Sequence, residues 1–547
     1  MIGAGRSSVP VPAGVHVRKL LTGAAVALSA AVPGALAAVG PGVQAGPSRS
    51  AEPELRAASA ARALAAAPSA PRPQAPDLAA LVRLKDVRRH LSAFQEIADY
   101  NGGNRAVGGP GFAVSVRYVV ARLKKAGFKP KVQRFTFPYW RERSAPVLAR
   151  VAPSKASYKV GTDFLTFAYS GTGAVTARVE AVDVPASGEG TSGCESGDFA
   201  RFRKGSIALM QRGTCSFATK VAKARAAGAA AAVIYNKPGE KGPVNGTVQK
   251  LAPIPVVGPS YRVGTALAKA AKKGGLKLRV KTDAVHGKKS ASNVIADTRR
   301  GRAGNVVLVG AHLDSVPAGP GINDNATGAA ALLAVAQKIG KLDGKDLRNR
   351  VRFAWWGAEE EGLVGSAHYV KSLGAAGRRR IALALNFDML GSPNGLRAVY
   401  DGDRSARAGA VPPAGSGAIE KTFRDYFAGR RLPVTQTPFT GRSDYGPFVA
   451  KGIPAGGIET GAEGVKTAAE AKAYGGKAGK AYDPCYHAKC DRMKNVDLKL
   501  LDTNVDAVAY VTQRFAASTL PVNGEARVLA VPAAPYLPEW QGPHLVR

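Results

Sequence analysis

Three short runs of nearly continuous apolar residues, Val306–Ala311, Val351–Trp356 and Ile381–Phe387, are separated by helix-period stretches such as Thr327–Ile339. Apolar runs of this length predict strands buried on both faces. Strands alternating with helices predict an α/β fold, a mixed and mostly parallel sheet sandwiched by helices. Such sheets bind ligands beyond the carboxyl ends of their strands. Upstream, Phe112, Val116, Val119, Val120 and Leu123 share one helical face, Gly127 supplies a stop, and a strand follows around Lys131–Phe137. Between about 141 and 286 the pattern changes to short β-like runs (Ile207–Met210, Ala230–Tyr235, Ile254–Val257) with many glycines and one helix, Phe217–Ala227. This predicts a small β-rich unit inserted into a larger one, which resumes near Ser292-Asn293-Val294.

The ends of the chain read differently from its middle. Arg18 and Lys19 precede an apolar stretch, Leu20–Val32, and Ala35-Leu36-Ala37 offers a small-residue cleavage site. Residues 1–37 therefore predict an export signal and a secreted protein. Residues 38–75, rich in Ala, Pro and Ser, predict a disordered linker or pro-segment. A C-terminal tail is expected over 519–547. No apolar run after the first forty residues is long enough to span a membrane, so none is expected to hold the protein there once the signal is removed. The chain has 4 cysteines. In an exported protein they predict two disulfides, and sequence neighbourhood favours Cys194–Cys215 and Cys485–Cys490. The formal net charge is +38. It is spread along the whole chain without a DNA or RNA motif, which favours a generally basic surface over a nucleic-acid face.

Each of the three buried strands ends in residues that can bind metal. The first ends in Ala311-His312-Leu313-Asp314, soon followed by Gly321-Ile322-Asn323-Asp324-Asn325. The second runs into Gly357-Ala358-Glu359-Glu360-Glu361, the third ends in Asn386-Phe387-Asp388, and Cys485-Tyr486-His487 lies near the end of the chain. A parallel sheet brings such ends to one edge. Carboxylates gathered there repel one another unless cations lie between them. Imidazole nitrogens mixed with carboxylate oxygens suit zinc. No HExxH, GxSxG or P-loop pattern occurs.

In the order and spacing of His312-Leu-Asp-Ser, Gly321-Ile-Asn-Asp-Asn, Phe353-Ala-Trp-Trp-Gly-Ala-Glu-Glu, Leu385-Asn-Phe-Asp-Met, Gly441-Arg-Ser-Asp and Asp483-Pro-Cys-Tyr-His, the sequence resembles the M28 family of zinc aminopeptidases, secreted bacterial members above all. The likeness covers about 76–140 and 287–518, which would form two parts of one peptidase domain with the zinc exopeptidase fold. The resemblance implies two zinc ions. His312 and Asp388 would hold one, Glu360 and His487 the other, and Asp324 would bridge both. It implies Glu359 as general base, Asp314 as the carboxylate orienting His312, and Tyr486 as a hydrogen-bond donor to the oxyanion. Cys485–Cys490 would brace the loop presenting His487. The implied substrates are peptides with a free amino end, hydrolysed by a monomer.

Residues 141–286 resemble a protease-associated (PA) domain, carried by Gly205-Ser-Ile-Ala-Leu-Met, Arg212-Gly-Thr-Cys-Ser-Phe, Lys220-Val-Ala-Lys-Ala, Gly228-Ala-Ala-Ala-Ala-Val-Ile-Tyr-Asn and Ile254-Pro-Val-Val. The resemblance implies a lid or docking role; a spacer that only adds stability weighs equally. Asp77, Asp502 and Asp506 align with acidic positions that hold calcium in some secreted relatives, and surface charge or helix capping explains them almost as well. Arg442 matches a substrate-contacting arginine. Glu459 stands where close relatives carry an aromatic residue in the wall of the first side-chain pocket, and a carboxylate there would favour Lys or Arg. Glu361 reads as a solvated charge and His368 as a surface or packing histidine. Two other functions fit the same motifs: a binding protein derived from such an enzyme, and a single-zinc glutaminyl cyclase of the same fold. The complete ligand set opposes the first, and Asp324 with Glu360 opposes the second.

Overall fold

The computed structural model describes residues 77–185, 187, 190–240, 242–248, 250–342 and 347–524. The expected signal over 1–37 and linker over 38–75 lie outside the described residues, as does 525–547 of the expected tail. The start of that tail is not loose: Leu520–Asn523 forms a helical turn packed on the helix Ser416–Gly429.

An eight-stranded sheet carries the site. Its strands are β1 (Lys131–Glu142), β2 (Ala284–Asp297), β3 (Arg302–His312), β4 (Asn349–Trp356), β5 (Ile381–Phe387), β6 (Ala398–Tyr400), β7 (Thr435–Thr437) and β8 (Ala455–Glu459). They lie in the order β1-β2-β4-β3-β5-β8-β6-β7. The central pairs β4–β3, β3–β5 and β5–β8 are parallel. Successive residues of β3 enter different cores. Val307, Val309 and Ala311 pack with the helices Thr327–Ile339 and Leu498–Ala517, whereas Val306 and Leu308 pack with Tyr369 and Phe448 on the other face. Burial on both faces is why these strands are apolar throughout rather than alternating. Parallel register then aligns their ends: His312 lies beside Trp356, and Gly310 beside Asn386.

A second eight-stranded sheet lies between β1 and β2 in the sequence. Its order is Ala156–Ser157, Val147–Ala152, Lys277–Thr282, Gly173–Ala181, Ile207–Gln211, Ala231–Tyr235, Val256–Pro259, Phe164–Thr166. The helix Tyr261–Lys272 covers one face and Phe217–Ala226 the other, each over its own apolar cluster. Both connections to the first sheet run through β1 and β2, paired antiparallel from Lys131↔Ile295 to Glu142↔Ala284. The strand expected around Lys131–Phe137 thus continues to Glu142 as one side of a two-stranded arm. Cys194–Cys215 and Cys485–Cys490 are both disulfide-bonded. Among the described residues, no helix is long and apolar enough to cross a membrane.

Candidate active site

His312 is the last residue of β3, and Asp388 follows the last residue of β5. Glu359 and Glu360 stand three and four residues beyond the end of β4. Asp324 sits in the buried turn Ile322–Ala326 that opens the helix Thr327–Ile339. His487 comes from the loop closed by Cys485–Cys490.

These side chains form two groups that share one carboxylate. His312 Nε2 lies 3.1 Å from Asp324 Oδ1 and 3.3 Å from Asp388 Oδ1. His487 Nε2 lies 3.2 Å from Asp324 Oδ2 and 3.1 Å from Glu360 Oε2. Four ligands at about 2.0–2.1 Å from a tetrahedral zinc would stand about 3.3 Å from one another. Glu360 Oε1 and Asp388 Oδ1 are buried without a hydrogen-bond partner. Buried carboxylate oxygens without donors are costly unless a cation serves them. Oxygen and imidazole donors at this spacing fit a pair of zinc ions.

Glu359 stands beside the cluster, Oε2 at 3.9 Å from His312 Nε2. Burial holds its carboxyl well above the usual range, against the pull of His312 and with the push of Asp444 and Glu360. Burial likewise raises Glu360 to about 7.

Backbone and second-row contacts hold the groups in place. His312 Nδ1 meets the main-chain oxygen of Asp314 at 3.1 Å, whereas the Asp314 carboxylate is 3.7 Å away. That carboxylate instead accepts the backbone N–H groups of Glu359 and Glu360 at 3.2 and 3.3 Å. Asp314 thus reaches the imidazole through its carbonyl and the Glu359–Glu360 turn through its side chain. Ser443 Oγ donates to Asp388 Oδ2 at 2.6 Å. Asp491 accepts the N–H groups of Asn323 and Asp324 at 2.7 and 3.0 Å. Three residues in or next to the cluster have left-handed backbone: Ala358 (φ 61°), Met389 (φ 55°) and His487 (φ 57°). Conformations unfavourable for residues with a Cβ collect where side chains must be aimed against local preference.

A cleft of ≈ 270 Å³ opens from the cluster between Tyr486, Arg442 and Glu459. Tyr486 stacks on His487 with ring centroids 3.8 Å apart. Its hydroxyl accepts from Arg442 Nη2 at 3.3 Å, and Arg442 also forms a 2.6 Å ion pair with Glu463. Glu459 accepts from the Thr437 hydroxyl at 2.7 Å and the Tyr400 hydroxyl at 3.4 Å.

Glu361 is not a solvated charge. It is half-buried in a recess with Tyr139, Trp140 and Arg141, and burial raises its carboxyl to about 7 against the pull of Lys289. His368 stacks on Phe135 at 4.8 Å and is a packing residue. Asp77 caps the helical turn Leu78–Leu81 by accepting the N–H of Ala79 at 3.0 Å. The structure brings it near Asp502 and Asp506, where burial and the two neighbouring carboxylates raise Asp506 to about 6, although the three do not offer oxygens all within 4.8 Å of one another. Asp401, Asp403 and Glu420 do come that close. Their oxygens, however, accept backbone N–H groups of Gly402, Asp403, Ser405 and Ala406, which braces a loop.

Sequence reasoning missed Arg105, Asp491, Ser443, Asp444 and Glu463. Ser443 and Asp444 lie in a motif it had singled out, which was the available signal. Arg105 and Asp491 carried none.

Residues 293–512 match peptidase family M28, and residues 175–267 match the PA domain. An aminopeptidase of Pseudomonas aeruginosa is 45% identical over 451 residues, covering 81% of this chain and 83% of that protein. A probable lipoprotein aminopeptidase LpqL of Mycobacterium tuberculosis is 40% identical, covering 80% and 85%. Among solved structures, the aminopeptidase from Aneurinibacillus sp. strain AM-1 aligns with a TM-score of 0.61 at 27% identity, over 80% of this chain and 94% of that one. Fold, motif order and overall likeness agree, and the chain belongs to peptidase family M28, with a PA domain.

Proposed function

We propose that the protein is a secreted dinuclear zinc aminopeptidase that hydrolyses the N-terminal bond of peptides with a free amino end. The observation that carries this reading is the division of Asp324 between two imidazoles, one carboxylate oxygen to each. A carboxylate so placed can serve two cations at once. His312 and Asp388 would complete one site, His487 and Glu360 the other. When bound, the two ions would polarise the scissile carbonyl and lower the pKa of the attacking water.

The chain's own groups supply the rest. Glu359 takes the proton from water and returns it to the leaving amine. Asp314 keeps Glu359 and Glu360 aimed by fixing their backbone N–H groups. Tyr486 donates its phenolic proton as a hydrogen bond to the developing oxyanion. Arg442 donates to that same phenol oxygen, and so orients it. Carboxylates in the cleft receive the substrate's ammonium group, which selects chain ends over internal bonds. Secretion is supported by the N-terminal pattern of the sequence and by the two disulfides.

Metal analysis together with hydrolysis of a free and an N-acetylated peptide tests the reading. Two zinc ions per chain and cleavage of the free peptide alone are expected. One ion per chain, or cleavage of the blocked peptide, would reject it. Glu359→Ala should lower kcat roughly a hundred- to ten-thousandfold with its metal retained.

A further inference from the structure

The cleft, a recess beside the proposed ligand cluster, is also lined by Tyr400, Thr437, Tyr445 and Glu459. Glu459 ends β8, whose Ile458 pairs in parallel with Phe387 of β5. The next residue on each strand is therefore a carboxylate at the rim of the site: Asp388 on one, Glu459 on the other. Tyr400 and Tyr445 pack against each other with ring centroids 4.6 Å apart, giving the recess an aromatic wall.

The charges lining this cleft are unevenly matched. In the proposed function, Asp324, Glu359, Glu360 and Asp388 face the ion pair. Glu463 is matched by Arg442, whose two terminal nitrogens reach its oxygens at 2.6 and 3.2 Å. Within hydrogen-bond reach Glu459 receives only two neutral hydroxyls, from Thr437 and Tyr400; burial, with Asp388 beside it, raises its pKa, and the charge of Arg442, already paired with Glu463, opposes this from farther off. An ionised carboxylate can accept about four hydrogen bonds, so acceptor capacity is left facing the cleft. Withdrawing a carboxylate from water without a cation is unfavourable, and a cation arriving with the substrate would relieve it. The long apolar stem of Lys or Arg would lie along the aromatic wall with its charged end beyond.

We propose that Glu459 determines specificity in the subsite for the substrate's first side chain, and that it selects an N-terminal Lys or Arg. This inference rests on the aminopeptidase reading above. It assigns Glu459 the side-chain ammonium or guanidinium, not the α-ammonium that every substrate carries.

Lysine and norleucine p-nitroanilides differ at the chain end, where lysine carries an ammonium group, and share the α-ammonium. The wild-type enzyme should have the higher kcat/KM for the lysine substrate. Glu459→Gln should lower the lysine-to-norleucine ratio about ten- to a hundredfold, the range for a charged hydrogen bond. The ratio is taken within one protein, so partial misfolding cancels. Glu459→Asp should keep part of the preference. A wild-type preference for norleucine overturns the assignment, and so does an equal loss on both substrates in Glu459→Gln, which would place the α-ammonium at Glu459. In each of these outcomes aminopeptidase activity itself persists. Failure to cleave any free-amine substrate overturns the parent reading, and this one with it.

Discussion

At the scale of single residues, the largest burden away from the proposed ligands falls on Arg105. Its side chain is fully buried. Nε donates to Pro320 O at 3.0 Å, Nη2 to Gly321 O at 2.5 Å and Nη1 to Leu313 O. These carbonyls belong to the loop between His312 and Asp324, so one guanidinium shapes the path between two of the proposed ligands. Burial lowers its pKa to about 10, while Asp314, Asp491, Asp324 and Glu360 act to keep it charged. Arg105→Met should leave the buried carbonyls of Leu313 and Pro320 without the donor that holds them, and that of Gly321 with the N–H of Ala326 alone. Removing one side of such a buried charged network costs about 3–5 kcal/mol. Urea unfolding should show that loss, and zinc affinity should fall about ten- to a hundredfold as the supports of the ligands go. Arg105→Lys keeps the charge but not the three-pronged geometry, and should lie between. Wild-type stability in Arg105→Met would mean that other contacts set the loop. None of this was legible in the sequence, because the partners lie more than 200 residues away and are carbonyls, which any residue supplies.

At the scale of elements, the sequence is most legible where one element meets one environment. Ile381–Phe387 is buried along its whole length, and its apolar run shows it directly. The helix Thr327–Ile339 is equally plain. Glu361 looks solvated in the sequence because the wall that covers it comes from β1 and the loop Asp314–Pro317, remote in sequence, and no local pattern announces such a cover. The helices Leu84–Asp99, Pro110–Lys125 and Thr327–Ile339 show a related effect. They meet at His90, which is 1% exposed and contacts the Tyr118 hydroxyl at 2.7 Å and Gln337 Oε1 at 3.4 Å. Burial lowers its pKa from 6.5 to about 4, aided by Arg122 and Arg89 and opposed by Gln337 and Asp86. The unfolded chain therefore takes up this proton first as pH falls. The helix junction is at full strength above pH 6.5 and weakens as pH falls from there through 4, by about 3 kcal/mol at the limit. Stability measured against pH should consequently drop more steeply in the wild type than in His90→Gln across that window. Parallel curves would show that His90 titrates alike in both states.

At the scale of the whole molecule, the proposed ligands are distributed unequally. His312, Asp324, Glu360, Asp388 and His487 all belong to the first sheet and the segments at its edge. The second sheet contributes none of them, and its apolar clusters, around Leu209 and Val233 and around Met210 and Ile234, contain no residue of the first sheet's cores. The two are joined through the β1–β2 arm. An ion that binds only the folded state stabilises what it binds by RT ln(1 + [L]/Kd), about 4 kcal/mol at a thousandfold excess over Kd. Here that stabilisation should act on the first sheet, whose strand ends and C-terminal loop the ions would tie together. Calorimetry with and without a chelator is the direct measurement. Two transitions are expected: chelation should lower the one belonging to the ligand-bearing part, zinc should restore it, and the inserted part should melt unchanged. A single transition that shifts as a whole would instead mean that the arm transmits folding between the two sheets, making the insertion an energetic partner of the metal centre.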